Sequence, residues 1–96
     1  MTTLDLLRTQ RDAVLQIAAK HGAENLRIFG SVARAEDTEQ SDIDLLVTMQ
    51  ENRSLLDLAA LKDALEALLH RSTDIVTERG LHPLIRQEIL SESRPL

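Results

Sequence analysis

The apolar and polar positions of the chain follow two periods, which predict helices and strands in alternation. Residues 3–21 have apolar positions at spacings of three and four, typical of an amphipathic helix, and Thr2 with Asp5 can form a capping box at its start. The longest helical pattern begins after Ser54, a good N-cap residue, and Pro83 suits the first turn of a last helix. Three short apolar runs are typical of strands: residues 26–29, 42–48 and 73–77.

This order of elements predicts a single α/β domain over residues 1–96, in which a small mixed sheet has helices packed on one face. A content of 43% hydrophobic residues is enough for one core. The polar residues 91–96 are expected to fray.

Composition narrows the functional classes. The formal net charge of -5 disfavours a protein that binds nucleic acid by itself, since such proteins need a basic surface, so we expect no direct nucleic-acid partner. The chain has no cysteine, hence no thiolate metal site. Its apolar runs are far shorter than the ~20 residues that span a bilayer, so no membrane association is predicted and the cytoplasm is the expected location.

Two aspartates lie in the second predicted strand. Asp42 and Asp44 are two positions apart, which in a strand directs both carboxylates to the same face. Strands disfavour aspartate, and carboxylates this close repel each other unless a cation such as Mg²⁺ lies between them. The alternative is that Asp42 is merely a loop residue and that Asp44 is an ordinary residue at the N-terminal end of this strand. The pair alone leaves both readings open.

Two further features have chemical potential. Gly30 and Ser31 join the first strand to a short predicted helix, residues 31–34, where free N–H groups, the serine hydroxyl and Arg34 can all donate to phosphate. Gly-Ser is also a common turn with no ligand. Asp74 lies in the third strand, where an aspartate at a sheet edge is usually just solvated.

The order and spacing of the three features resemble the polymerase beta-like nucleotidyltransferase superfamily. Within it, the chain is similar to the minimal nucleotidyltransferases (MNT), whose length it shares, and the resemblance covers residues 1 to about 90. The matching elements are a strand followed by Gly30-Ser31 and Arg34, then Ser41-Asp42-Ile43-Asp44-Leu45, then a later strand with Asp74. The resemblance implies the polymerase beta-like nucleotidyltransferase fold.

The resemblance also implies roles for individual residues. The metal-binding and catalytic carboxylates would be Asp42, Asp44 and Asp74; the nucleotide-binding residues would be Gly30, Ser31 and Arg34. Arg34 would either contact phosphate or brace its loop through Glu36. Two Mg²⁺ ions and ATP would be required, with Asp74 accepting the proton of the attacking hydroxyl. The chain departs from the family pattern at Ala35, where glycine is common and a positive φ is more easily adopted.

Several MNT proteins are the antitoxins of HEPN/MNT toxin–antitoxin pairs. These antitoxins transfer AMP to a tyrosine of their partner, a HEPN-type ribonuclease toxin. By resemblance, this is the leading functional hypothesis, and it implies a hetero-oligomer with the toxin. One alternative is a non-catalytic antitoxin or regulatory subunit that masks its partner. Another is a nucleotidyltransferase subunit that acts on a small molecule with a separate substrate-binding chain.

Overall fold

The computed structural model describes residues 1–96 and contains five helices and four strands. The helices are α1 (Thr3–Thr9), α2 (Arg11–Lys20), α3 (Gly30–Ala33), α4 (Leu55–Leu69) and α5 (Pro83–Glu92), and the strands are β1 (Ala23–Phe29), β2 (Ile43–Met49), β3 (Thr73–Thr77) and β4 (Arg94–Pro95). One sheet has the order β3-β2-β1-β4, in which β1 is antiparallel to β2 and β4 while β2 is parallel to β3. The predicted α/β class with a small mixed sheet is therefore confirmed.

The main core lies between the sheet and the helices α1, α2, α3 and α4. On β2, Ile43, Leu45 and Val47 point into this core, as the period of two predicts, and Asp44 faces the opposite side. Leu46 shares the face of Asp44 and is nevertheless fully buried, outside the main core cluster. The carboxylate face is thus partly covered. None of the helices is long and apolar enough to cross a membrane.

Local signals in the sequence set most of the helix boundaries. The predicted capping box of Thr2 with Asp5 forms at α1, and the predicted N-cap Ser54 begins α4, where it also forms a capping box with Asp57. The predicted single helix over residues 3–21 is instead two helices, because Gln10 leaves helical dihedral angles. The hydroxyl of Thr9 donates to the Leu6 carbonyl oxygen, an interaction that tends to bend helices.

The C-terminal residues differ from the expectation that they fray. Ser91 and Glu92 complete α5, and β4 pairs with Arg27 and Ile28 of β1, which satisfies backbone groups at that edge of the sheet. The helix α5 has no buried residue and is held by polar contacts at its two ends. Arg86 forms an ion pair with Glu78 after β3 (3.5 Å), and the opposite end of α5 reaches the residues that follow β1.

Candidate active site

Three elements bring the predicted carboxylates to one corner of the sheet. Asp44 of β2 and Asp74 of β3 are paired in register, and adjacent strands lie only ~4.8 Å apart, so the two side chains are neighbours on one face. Asp42 immediately precedes β2 and is exposed. Across the antiparallel pair, Asp44 lies opposite Phe29, the last residue of β1. The corner therefore contains the start of β2, the start of β3 and the end of β1.

The charges at this corner repel one another. Burial, followed by the negative charges of Asp74 and Asp42, raises the pKa of Asp44 from 3.8 to about 6, although Arg34 acts in the opposite direction. None of the three carboxylates takes part in an ion pair of the chain. No protein cation is thus paired directly with this cluster, as expected of carboxylates that serve a ligand.

The Gly30 turn is in direct contact with the carboxylates. Gly30 has a φ of +73°, a conformation that favours glycine, and a Cβ atom there would overlap Oδ2 of Asp44. Ser31 is the next residue, in the first turn of α3, and is partly buried. The structure therefore brings Gly30, Ser31 and the aspartates together, although ten residues lie between Ser31 and Asp42 in the sequence.

Glu92 of α5 also belongs to this corner, and sequence reasoning missed it. Its Oε1 accepts a hydrogen bond from the backbone N–H of Gly30 (3.0 Å), and its Oε2 accepts one from Nη1 of Arg34 (2.9 Å). Its negative charge is a further cause of the raised pKa of Asp44. The Glu92 carboxylate thus occupies donors that a phosphate group would need. No sequence signal marked it, because it lies in a segment that was expected to fray.

Arg34 braces its loop rather than pointing freely into the corner. It forms ion pairs with both Glu36 (3.2 Å) and Glu92 (2.9 Å), and these hydrogen bonds raise the pKa of the guanidinium. Ala35 follows with a φ of +58°, so it adopts the left-handed conformation for which the family commonly uses glycine. The departure from the family pattern therefore leaves the backbone conformation in place, at an energetic cost to alanine.

Arg71 fixes the loop that leads to Asp42, and the sequence analysis missed this role as well. Its Nη2 donates to the carbonyl oxygens of Ser41 (2.7 Å) and Thr38 (3.1 Å), and it pairs with Asp37 (3.7 Å). The Arg71 side chain is largely buried, which favours these charge-assisted contacts. Because Ser41 immediately precedes Asp42, these contacts of Arg71 hold the backbone that positions the Asp42 carboxylate.

The donor set suits a hard divalent cation. Mg²⁺ prefers carboxylate oxygens and is commonly held by one or two carboxylates together with phosphate oxygens of a substrate. No three acidic, histidine or cysteine side chains converge tightly enough to enclose an ion by themselves. The mutual repulsion around Asp44 and the adjacent Gly30 turn fit a cation that is bound jointly by the protein and a nucleotide.

Comparison with known proteins agrees with this geometry. A family model described as a nucleotidyltransferase domain matches residues 7–96. A protein of Methanocaldococcus jannaschii assigned as a protein adenylyltransferase is 46% identical over 80 residues, which cover 83% of this chain and 86% of that protein. The protein adenylyltransferase MntA of Thermococcus cleftensis is 36% identical over 77 residues, which cover 80% of this chain and 78% of that protein.

Solved structures give the same result. A structure described as a minimal nucleotidyltransferase superposes with a TM-score of 0.89 and 55% identity, and the match covers 100% of this chain and 97% of that chain. The fold is also shared with a chain from the complex of a tri-AMPylated HEPN toxin of Shewanella oneidensis with its MNT antitoxin (TM-score 0.69, 16% identity, 92% of this chain and 69% of that chain). At this low identity, the second likeness shows the fold alone.

Proposed function

Because the chain belongs to the nucleotidyltransferase domain family, we propose that it transfers AMP from ATP to a hydroxyl group of a HEPN-type toxin, with tyrosine as the acceptor, and thereby acts as the antitoxin. The observation that carries this proposal is the in-register pair of Asp44 and Asp74 beside the Gly30 turn. Residues 1–96 would function as one minimal nucleotidyltransferase domain, in a hetero-oligomer with the toxin. We infer a cytoplasmic location, since the reaction consumes ATP.

The aspartates at the corner are the residues that would hold two Mg²⁺ ions: Asp42, Asp44 and Asp74. When bound, these ions would offset phosphate charge and lower the pKa of the attacking hydroxyl. The backbone N–H of Gly30 and the hydroxyl of Ser31 would donate to the triphosphate. Glu92 must release the Gly30 N–H before a phosphate oxygen can accept a hydrogen bond from it, because this N–H cannot donate fully to the carboxylate and the phosphate at once.

The transfer step moves one group and one proton. The acceptor oxygen attacks the α-phosphorus, a new O–P bond forms, the bond from the α-phosphorus to the bridging oxygen breaks, and pyrophosphate leaves. The hydroxyl proton passes to the carboxylate of Asp74, which is exposed and therefore accessible to an incoming acceptor.

A protein acceptor is supported by two observations. The relatives that match most of the chain are named as protein adenylyltransferases. In addition, the surface has several large apolar side chains that are almost fully exposed, namely Leu55 (82%), Leu56 (81%) and Leu84 (86%). Exposed apolar side chains of this kind are common at surfaces that dock another protein. A toxin chain would cover them.

Isotope placement tests the proposal. The purified protein is incubated with its HEPN-type partner, Mg²⁺ and ATP labelled at either the α- or the γ-phosphorus. We expect the partner to retain the α-label and no γ-label, since pyrophosphate carries the γ-phosphorus away. With the Asp74→Asn variant, the partner should retain neither label. Retention of the γ-label would instead indicate a kinase, and no label with the wild-type protein would favour the masking antitoxin.

A further inference from the structure

A groove lies between the edge strand β3 and the helix α4, directly beside Asp74. It encloses about 200 Å³ and is lined by Leu55, Leu58, Ala59, Lys62, Asp74 and Ile75. Its walls are mainly apolar, and Asp74 lines it from the edge strand β3, with its side chain on the same face of the sheet as that of Asp44. The groove is smaller than the ~300–1,000 Å³ that is usual for pockets that hold a whole small molecule. Its size therefore suits one side chain rather than a nucleotide.

The order of the strands determines which reactant this groove can receive. The sheet order β3-β2-β1 puts the Gly30 turn on one side of Asp44 and the groove on the other side. In phosphoryl transfer, the attacking and the leaving oxygen lie roughly in line through the phosphorus. If the triphosphate tail is held at the Gly30 turn, the pyrophosphate leaves over β1, and the nucleophile must approach from the β3 side.

The edge of β3 offers backbone groups as well as an apolar wall. At Thr73, α4 already covers this edge: the Thr73 N–H donates to Glu66 Oε2 (2.8 Å) and its carbonyl oxygen accepts from Lys62 Nζ (2.7 Å). Backbone directions alternate along a strand, so Ile75 directs its N–H and C=O to the same free edge. An extended peptide can pair with such groups, whereas a free small molecule has no matching backbone.

We propose that this groove is the acceptor subsite, and that it seats an aromatic hydroxyl side chain, a tyrosine of the partner protein, with the ring against Leu58 and Ala59 and the hydroxyl at Asp74. The inference rests on the proposed function and deepens it by naming where the acceptor binds. The ring gains from burial against apolar walls, and its polar end remains at the carboxylate. The reaction is the one given above: the phenol oxygen bonds to the α-phosphorus, its proton goes to Asp74, and pyrophosphate leaves.

A pair of matched substitutions on α4 tests the subsite. Ala59 lines the groove and Ala60 does not, and both are exposed on the same helix, so Ala59→Phe fills the groove and Ala60→Phe is its control. Two quantities are measured with the HEPN-type partner and Mg²⁺: the initial rate of AMP incorporation and the Kd for ATP. We expect Ala59→Phe to lower the rate at least about tenfold while the Kd for ATP stays within about twofold, which separates loss of acceptor binding from loss of nucleotide binding.

The outcomes distinguish failure of the acceptor subsite from failure of the proposed function. If the wild type and Ala60→Phe transfer AMP and Ala59→Phe does so equally well, the subsite is wrong and the proposed function stands. A parallel loss of ATP affinity in Ala59→Phe would assign the groove to the adenine ring instead. If no variant transfers AMP, the proposed function fails and the subsite fails with it.

Discussion

Replacing Asp44 by asparagine should stabilise the metal-free protein at neutral pH. The fold raises the pKa of Asp44 from 3.8 to about 6, and each pKa unit corresponds to about 1.4 kcal/mol, which sets a ceiling of about 3 kcal/mol. Solvent screening at this partly exposed site reduces the expected gain to about 1–2 kcal/mol. For a domain of this size, that gain raises the Tm by about 5–10 °C.

The sign of the pH dependence follows from the direction of the shift. Well below pH 3.8, Asp44 is protonated in both the folded and the unfolded state, so its charge costs no stability. As the pH rises from about 4 to about 6, the unfolded state ionises first, and the wild type loses stability that the variant keeps. The advantage of Asp44→Asn should therefore be small at pH ~4 and complete by pH ~7.

Thermal unfolding followed by circular dichroism, with EDTA present, measures this difference across the pH range. Asp63→Asn is the matched control, because Asp63 is exposed on α4 away from the carboxylate corner and should show no such trend. An Asp44→Asn variant that is less stable than the wild type at pH ~7 would show that the ionised Asp44 side chain does not destabilise the fold. So would an advantage that is the same at pH ~4 and pH ~7, since repulsion requires an ionised Asp44.

Three further substitutions test the geometry of the site. Gly30→Ala should cost about 1–3 kcal/mol of unfolding free energy in urea titrations, because it combines a positive φ with an overlap onto Asp44; unchanged stability would contradict the turn geometry. Ala35→Gly should gain about 0.5–1 kcal/mol in the same assay by relieving the left-handed alanine, and a loss would show that this conformation is unstrained. Glu92→Gln should tighten the binding of ATP with Mg²⁺ about fivefold by calorimetry, because a charged competitor for the Gly30 N–H is removed; weaker binding would mean that Glu92 supports the nucleotide site.

The sequence predicted those parts of the fold that depend on local chemistry. The capping residues Thr2 and Ser54 begin helices as expected, and Ile43, Leu45 and Val47 all lie in the core, as the period of two in the predicted strand over residues 42–48 requires. Such signals need only a few neighbouring residues, so they can be read before the fold is known. The break at Gln10 is a small dihedral change within a continuous helical pattern, which periodicity does not register.

The rest of the candidate site depends on contacts between distant segments. The motif order suggested that Asp44 and Asp74 meet, but their register depends on how β3 aligns beside β2, and no local pattern encodes that alignment. Arg71 and Glu92 reach the site through long side chains, Arg71 from the loop between α4 and β3 and Glu92 from the end of α5. Their residue types are common on exposed surfaces, so nothing in the sequence distinguished them from solvated charges.

The Asp44→Asn variant can show whether the protein neutralises its partner by AMP transfer or by masking. The variant should remain folded, because repulsion at the corner is reduced. It should still bind the HEPN-type partner, because Asp44 is neither one of the exposed leucines proposed to dock that partner nor part of the proposed acceptor groove. We therefore measure the ribonuclease activity of the partner after incubation with ATP, Mg²⁺ and equal concentrations of wild-type or variant protein, and follow AMP addition by intact mass. We expect the wild type to add AMP and to abolish the ribonuclease activity, whereas Asp44→Asn should do neither. Equal neutralisation by both proteins, with no gain in mass on the partner, would contradict this expectation and establish the chain as a masking antitoxin.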